Sequence, residues 1–386
     1  MDFKKLHNIV IEMNLPAYRE KQIRQAFWRD LAGGWNEVTV LPKELREKLA
    51  GQIKWDSVEV DKIMEDGNSI KARLKLSDGN VIESVLIKYI DGPSTSLRTG
   101  RNTVCVSSQV GCPMDCSFCA TGRGGFKRNL ESEEIVEQVL FFARMMKNNN
   151  FVIARSVSDE AIFNRLSGAQ SIKDRHALVS RARDDKKNDY SKVTNVVFMG
   201  MGEPFLNYDN VMKAIKMLND KEGFNLGARH ISISTCGIAP GIRKLAGVNL
   251  QINLALSLHA PDDKLRDRLM PVNKKYPLQD VLATVDFYIK KTNRRVMIEY
   301  ALIDGVNDGE AEAKELAYLI KSRPLCYVNI IPYNPVGGHK RSGKENIKKF
   351  IEILEKNKVK YTIRRGFGGS INAACGQLAG EKNKLK

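Results

Sequence analysis

No apolar run in this 386-residue chain approaches the roughly 20 residues that a membrane-spanning helix needs. The opening stretch, MDFKKLHNIVIEMNLP, holds only a short apolar patch with Glu12 in it and no small-residue cleavage site. A secretory leader is not expected. Acidic residues are in the minority: 45 Asp and Glu stand against 62 Lys and Arg, a formal charge of +17. That imbalance favours a polyanionic partner, because each neutralised phosphate releases counterions. The cysteines cannot all pair. There are seven, and three fall between positions 112 and 119. An odd number in a long chain argues against a secreted disulfide framework and for metal or thiol chemistry in a reducing, cytoplasmic compartment.

The length suits one large domain plus a small one. Residues 1–52 read as a helical accessory domain. YREKQIRQAFWRDL (18–31) puts Ile23, Ala26, Phe27 and Leu31 on one face, and LPKELREKLA has a proline suited to a helix start. Residues 53–95 switch to alternation, with EDGN and SDGN as turn signals, which predicts a small antiparallel β segment. From 96 to 380 apolar strands alternate with amphipathic helices. The strand candidates are 103–108, 194–199, 230–235, 251–257, 295–302 and 326–331. This α/β alternation implies a parallel sheet with right-handed crossovers, a partial (βα)6 barrel whose site lies at the C-terminal strand ends. Residues 148–192 interrupt it. They are polar, charge-mixed and far longer than the usual connection, and read as an insertion loop. PSTSLRTG (93–100) also reads as a loop.

GCPMDCSFCATG carries Cys112, Cys116 and Cys119 in a C-x3-C-x2-C spacing just after the first barrel strand. Three thiolates from one loop can cap three irons of a 4Fe-4S cubane and leave the fourth iron without a protein ligand. S-adenosylmethionine (SAM) can chelate that iron, and electron transfer then splits its sulfonium to a 5′-deoxyadenosyl radical. Phe118 would pack beside the cluster. Structural zinc is the competing reading, but zinc usually takes a second ligand pair, and none follows.

FMGMGEPFLNYDNV follows the second strand, and no G-K-[ST] follows its glycines, so it is no P-loop. Glycines there let backbone approach a ligand, and Glu203 adds a carboxylate. Ser234, the run Ser257-Leu258-His259, and Asn334 each end or follow an apolar strand on the same rim. Singly they would be caps or loop residues; jointly they form a candidate ring of ligand contacts.

With TVCVSSQVGCPMDCSFCATG, VVFMGMGEP, LALSLHAPDD, LMPVN, GVND, IPYNP and AACGQLAG in view, the chain resembles the RlmN/Cfr family of radical-SAM RNA methyltransferases over roughly 83–380. IESV, NYDN, GARHISIST and IPYNP look more like the branch that methylates carbon 2 of adenine in 23S rRNA and tRNA. The other branch modifies carbon 8. The resemblance implies that Cys112, Cys116 and Cys119 hold the 4Fe-4S cluster. It implies that Gly202, Glu203, Ser234, Ser257, Leu258, His259 and Asn334 contact SAM. Cys375 matches the methyl carrier, Cys105 its resolving partner in a disulfide, and Glu83 the proton acceptor. An electron donor such as flavodoxin or ferredoxin, a monomer and no membrane association follow from the same likeness. The chain departs from the usual pattern at Thr235-Cys236-Gly237, where TSG is common, and at Ser370, where an acidic residue is common.

Three outcomes remain open to the sequence: carbon-2 methylation, carbon-8 methylation, and a zinc-stabilised RNA-binding protein without catalysis. Basic groups at 126–129, 274–275, 293–295, 339–344 and 361–365 are candidates for RNA contact. The target base must be unstacked to reach a buried cluster.

Overall fold

The computed structural model describes residues 1–89, 100–147, 192–336, 338–364, 366 and 368–379. The expected insertion at 148–192 and the loop at 93–100 lie outside the described residues, except for Lys192 and Gly100.

Three helices open the chain: α1 (Phe3–Glu12), α2 (Ala17–Trp28) and α3 (Lys43–Gln52). Asp2 caps α1 by accepting from the Lys4 and Lys5 N–H groups at 3.0 and 2.9 Å. Pro16 and Pro42 stand at the N-caps of α2 and α3. The predicted face of α2 is buried at Ile23, Ala26 and Phe27, but Leu31 is not on it. The helix stops at Trp28, the Ala32 N–H returns to the Ala26 carbonyl at 2.9 Å, and Leu31 takes the left-handed turn at φ +50°. All three tryptophans of the chain lie within the first 55 residues. Trp35 and Trp55 meet edge to face at 4.9 Å, Trp28 stacks on Phe3, and the Trp35 and Trp55 indole N–H groups donate to the Ile53 and Ala32 carbonyls. Aromatic packing with satisfied polar ends orders these helices, whose buried side chains belong to the same hydrophobic cluster as the barrel.

The main sheet has ten strands. It begins with antiparallel β1 (Val58–Asp66), β2 (Ser69–Leu76) and β3 (Val81–Tyr89), and β3 pairs antiparallel with β4 (Arg101–Cys105). A separate two-stranded ribbon, β5 (Gln109–Gly111) with β6 (Phe126–Asn129), brackets the cysteine loop and its short helix α4 (Ala120–Arg123). Then come α5 (Ser132–Lys147), β7 (Asn195–Phe198), α6 (Tyr208–Asn219), β8 (Ile231–Thr235), α7 (Ala239–Ala246), β9 (Asn253–Ser257), α8 (Asp263–Leu269), α9 (Leu278–Thr292), β10 (Val296–Leu302), α10 (Glu310–Lys321), β11 (Cys326–Pro332), α11 (Lys344–Lys356) and β12 (Tyr361–Ile363).

Strands β4, β7, β8, β9, β10, β11 and β12 are successive parallel neighbours. Six were expected; β12 is a seventh. It is three residues long at the sheet edge and half exposed, so its hydrophobic signal is weak. The first parallel strand is also shorter than expected. Ser107 and Ser108 leave the ladder because Gln138, Asn207 and Met201 take up their polar groups. The result is a radical-SAM-type partial barrel of α/β class, with helices on its outside and the antiparallel strands continuing one edge. Helix α5 also seats the N-terminal helices. Its Glu137 meets the Met1 amino group and the Ser57 N–H, and Arg144 pairs with Asp56 at 2.6 Å. Among the described residues, no helix is long and apolar enough to cross a membrane.

Candidate active site

The cysteine loop is held by backbone. Gly111, at φ +74°, comes so near the Gly125 carbonyl that a Cβ would lie 1.8 Å from its oxygen, so only glycine fits. Cys112 N–H donates to Gly125 O (2.9 Å), Ser117 N–H to Leu269 O (3.0 Å) and Cys119 N–H to Cys116 O (3.0 Å). The three cysteines line one cavity at the C-terminal strand ends, with Gly202, Glu203, Ser234, Ser257, His259, Asn334 and Cys375. Leu258 does not line it. Its side chain is fully buried and its N–H donates to Glu299 O at 3.1 Å.

Burial pushes the Cys112 thiol up to about 12 and also raises Cys116. Unmetallated, these thiols stay protonated, and a bound metal would be what ionises them. Among the described residues no three His, Cys, Asp or Glu side chains converge as a single ion would require. Three thiols from one loop that line a cavity together suit a cluster that offers each its own iron. The donor set fits a three-thiolate cubane.

The glycine turn after β7 is built against the cluster ribbon. Gly202 has φ +100°, and a Cβ there would sit 2.5 Å from the Gln109 Cβ. Gln109 in turn accepts the Glu203 N–H at 2.8 Å. The Glu203 carboxylate accepts from the Phe205 and Cys236 N–H groups at 3.0 and 2.8 Å. Burial raises Glu203, and these backbone donors oppose that rise. Cys236, at the atypical position, thus serves Glu203 through its backbone. Ser234 and Ser257 hydroxyls are 3.2 Å apart on neighbouring strands. His259 has φ +57° and its Nδ1 accepts from the Ala301 N–H at 3.0 Å. Burial, followed by the Arg266 charge, pulls it down to about 3, so the ring is neutral and its Nε2 carries the proton. Phe118 packs edge to face on that ring at 4.7 Å.

Cys375 lies on a C-terminal stretch without helix or strand, tied across the barrel mouth. Gly376 O accepts from Ala120 N–H (2.7 Å), Leu378 O from the Thr121 hydroxyl (2.6 Å) and Asn372 O from Lys71 Nζ (3.1 Å). Asn334 Nδ2 donates to the Cys375 carbonyl at 3.3 Å. Ser370, at the other atypical position, donates to Asp66. A second, smaller cavity joins Cys375 to Cys105 at the end of β4. Burial, and next the Cys375 charge, pushes Cys105 up to about 12.

Glu83 is not brought to either cavity wall. Its carboxylate is buried on β3, 3.2 Å from Lys71 Nζ, and accepts the Ala379 N–H at 2.9 Å. Sequence reasoning missed Glu299, Arg364 and Arg266. Glu299 and Arg364 line the main cavity. Arg266 is fully buried, and its guanidinium joins the Cys236 carbonyl, the Leu258 carbonyl and Asn273. It lay in LRDRLMPVN, where a charged residue at helical spacing reads as solvent-facing. Of the basic groups expected to face RNA, Arg128 is instead tied to Asp78 and Glu134 at 2.5 and 2.8 Å.

This partial barrel, with three cysteines on one loop at its mouth, is the arrangement of a radical SAM enzyme. A profile described as the Radical SAM superfamily matches residues 163–317. The chain is 42% identical over 378 residues to "Probable dual-specificity RNA methyltransferase RlmN" of Caldicellulosiruptor saccharolyticus, covering 97% of this chain and 94% of that one. It is 40% identical to "Ribosomal RNA large subunit methyltransferase N" of Nitrosopumilus maritimus, covering 97% and 96%. The crystal structure of a radical SAM methyltransferase from Sphaerobacter thermophilus superposes with a TM-score of 0.80 at 39% identity, covering 99% of this chain and 98% of that one. The chain belongs to the RlmN family of RNA methyltransferases, whose cofactors are a 4Fe-4S cluster and SAM.

Proposed function

We propose that the protein methylates carbon 2 of adenine in 23S rRNA and tRNA through a methyl group carried on Cys375. The observation that carries this reading is the position of Cys375. It faces the cluster cysteines in one cavity and Cys105 in the other. When bound, the cluster and SAM supply one-electron cleavage of a sulfonium and so a carbon radical able to take hydrogen from an S-methyl group. Cys112, Cys116 and Cys119 hold the cluster. Gly202, Glu203, Ser234, Ser257, His259 and Asn334 would hold SAM, with buried Leu258 packed behind the cavity wall. Glu203 accepts the SAM ammonium beside its two backbone donors, and His259 offers Nε2–H.

The Cys375 thiolate first attacks the methyl carbon of SAM. A C–S bond forms, and the sulfonium bond pair stays on the departing thioether. After giving one hydrogen to that carbon radical, the S-methyl carbon would bond the adenine ring, Glu83 would take the ring proton once Ala379 releases its carboxylate, and the unpaired electron would pass back to the bound cluster. The Cys105 thiolate then attacks Cys375 Sγ. An S–S bond forms, the C–S bond pair passes to the RNA-bound carbon, and that carbon takes a proton to become the product methyl. We read the protein as a cytoplasmic monomer reduced by a flavodoxin or ferredoxin. Anaerobic reconstitution with labelled SAM, 23S rRNA fragments and tRNA tests the proposal. Mass spectrometry should find 2-methyladenosine in both RNAs; 8-methyladenosine would overturn it.

A further inference from the structure

Two thiolates are needed at different moments, in one enclosed place. Burial, and next the Cys375 charge, push Cys105 up to about 12. Something must favour charge on these sulfurs. Among the described residues lining the two cavities, Arg364 is the one cationic side chain, and it lines both. Its origin is fixed, because its backbone N–H donates to Ile330 O at 2.8 Å just beyond β12. Its Nη1 lies 3.7 Å from Met199 Sδ, and Met199 also lines both cavities. Glu299 shares the main cavity, and its buried Oε1 has no hydrogen-bond partner.

We propose that Arg364 is the positioning cation for both sulfurs, holding first Cys375 and then Cys105 as the reactive thiolate. This rests on the roles proposed above for the two cysteines. The order follows from charge. While Cys375 is a thiolate it claims the guanidinium, and its own negative charge keeps Cys105 protonated. Once Cys375 carries a methyl group it is neutral. The repulsion is gone, and the same guanidinium then favours the Cys105 thiolate.

The test is alkylation of Cys375 by iodoacetamide in the anaerobic holoenzyme at pH 7.5, with the Cys375 peptide quantified by mass spectrometry. Unmethylated Cys375 is followed, and absorbance near 400 nm reports the cluster. An adjacent opposite charge shifts an ionisable group by about 1–3 pKa units. Each unit removes tenfold of the thiolate and returns roughly threefold in nucleophilicity. Arg364→Gln should therefore slow alkylation about three- to thirty-fold, and Arg364→Lys should restore most of the rate. Equal rates in Arg364→Gln and wild type would overturn the inference. So would a Lys variant as slow as the Gln variant, since charge would then not be the agent. RNA methylation is not read in this assay. A protein that fails to methylate RNA but shows the Arg364 dependence sinks the proposed function and leaves this inference standing.

Discussion

Cys105 and Cys375 share a cavity, yet their removal should stop the reaction at different points. Cys375→Ala has no carrier and should never become attached to RNA. Cys105→Ala keeps the carrier and loses the release step, so a covalent protein–RNA species joined at Cys375 should accumulate. Denaturing gels with radiolabelled RNA should show a shifted band sensitive to both protease and nuclease. Its absence, with Cys375 methylated and the cluster intact, would assign resolution to another thiol. His259 gives a second prediction at this scale. Its folded value is near 3 and its ordinary value near 6.5, so between those pH values the unfolded chain binds the extra proton. Stability must then fall as pH drops below about 6.5 through this one group. His259→Asn keeps a hydrogen-bond acceptor and tolerates the positive φ. Its unfolding midpoint should lose less between pH 7 and pH 5 than that of the wild type. An unchanged pH dependence would mean that the ring is protonated in the folded protein.

Elements set which of these residues meet. The turn after β7 works only with glycine at 202. Gly202→Ala combines a left-handed backbone with a clash on Gln109, and strain of about 1–3 kcal/mol should weaken SAM binding roughly tenfold or more. Equilibrium binding to the holoenzyme measures this. Lys71 and Glu83 lie diagonally across the β2–β3 ladder, both buried. Lys71→Met leaves a buried carboxylate without its partner and should destabilise the fold by about 3 kcal/mol, read from chemical denaturation. The strands that position the site were legible where they are apolar runs buried on both faces, as in VVF (196–198) and LAL (254–256). β12 was not, since an edge strand of three residues has no periodicity to find. The same contrast holds in the site. The cysteine spacing is local, so it could be read directly. Glu299 and Arg364 become site residues only when strands far apart in sequence lie side by side, and alone they read as a strand charge and part of a basic patch.

At the scale of the whole molecule the excess charge matters more than any single arginine, and Arg128 shows why. A cation counted in the sequence can already be spent on Asp78 and Glu134. What remains of the +17 should still make RNA binding steeply salt-dependent. With about six phosphate contacts, affinity should fall roughly a thousandfold between 50 and 200 mM salt. Filter binding across that range checks it, and a flat response would mean that recognition rests on base contacts alone.

Cys105 is gripped on both sides, by Val85 of β3 and Val197 of β7, while Cys375 rides on a stretch that belongs to no strand or helix. In the proposed cycle the anchored sulfur cannot travel, so the carrier comes to it and is stapled to the barrel wall at the close of each round. The enzyme then idles until an outside thiol cuts the staple. Its pace is thereby tied to the reducing capacity of its surroundings.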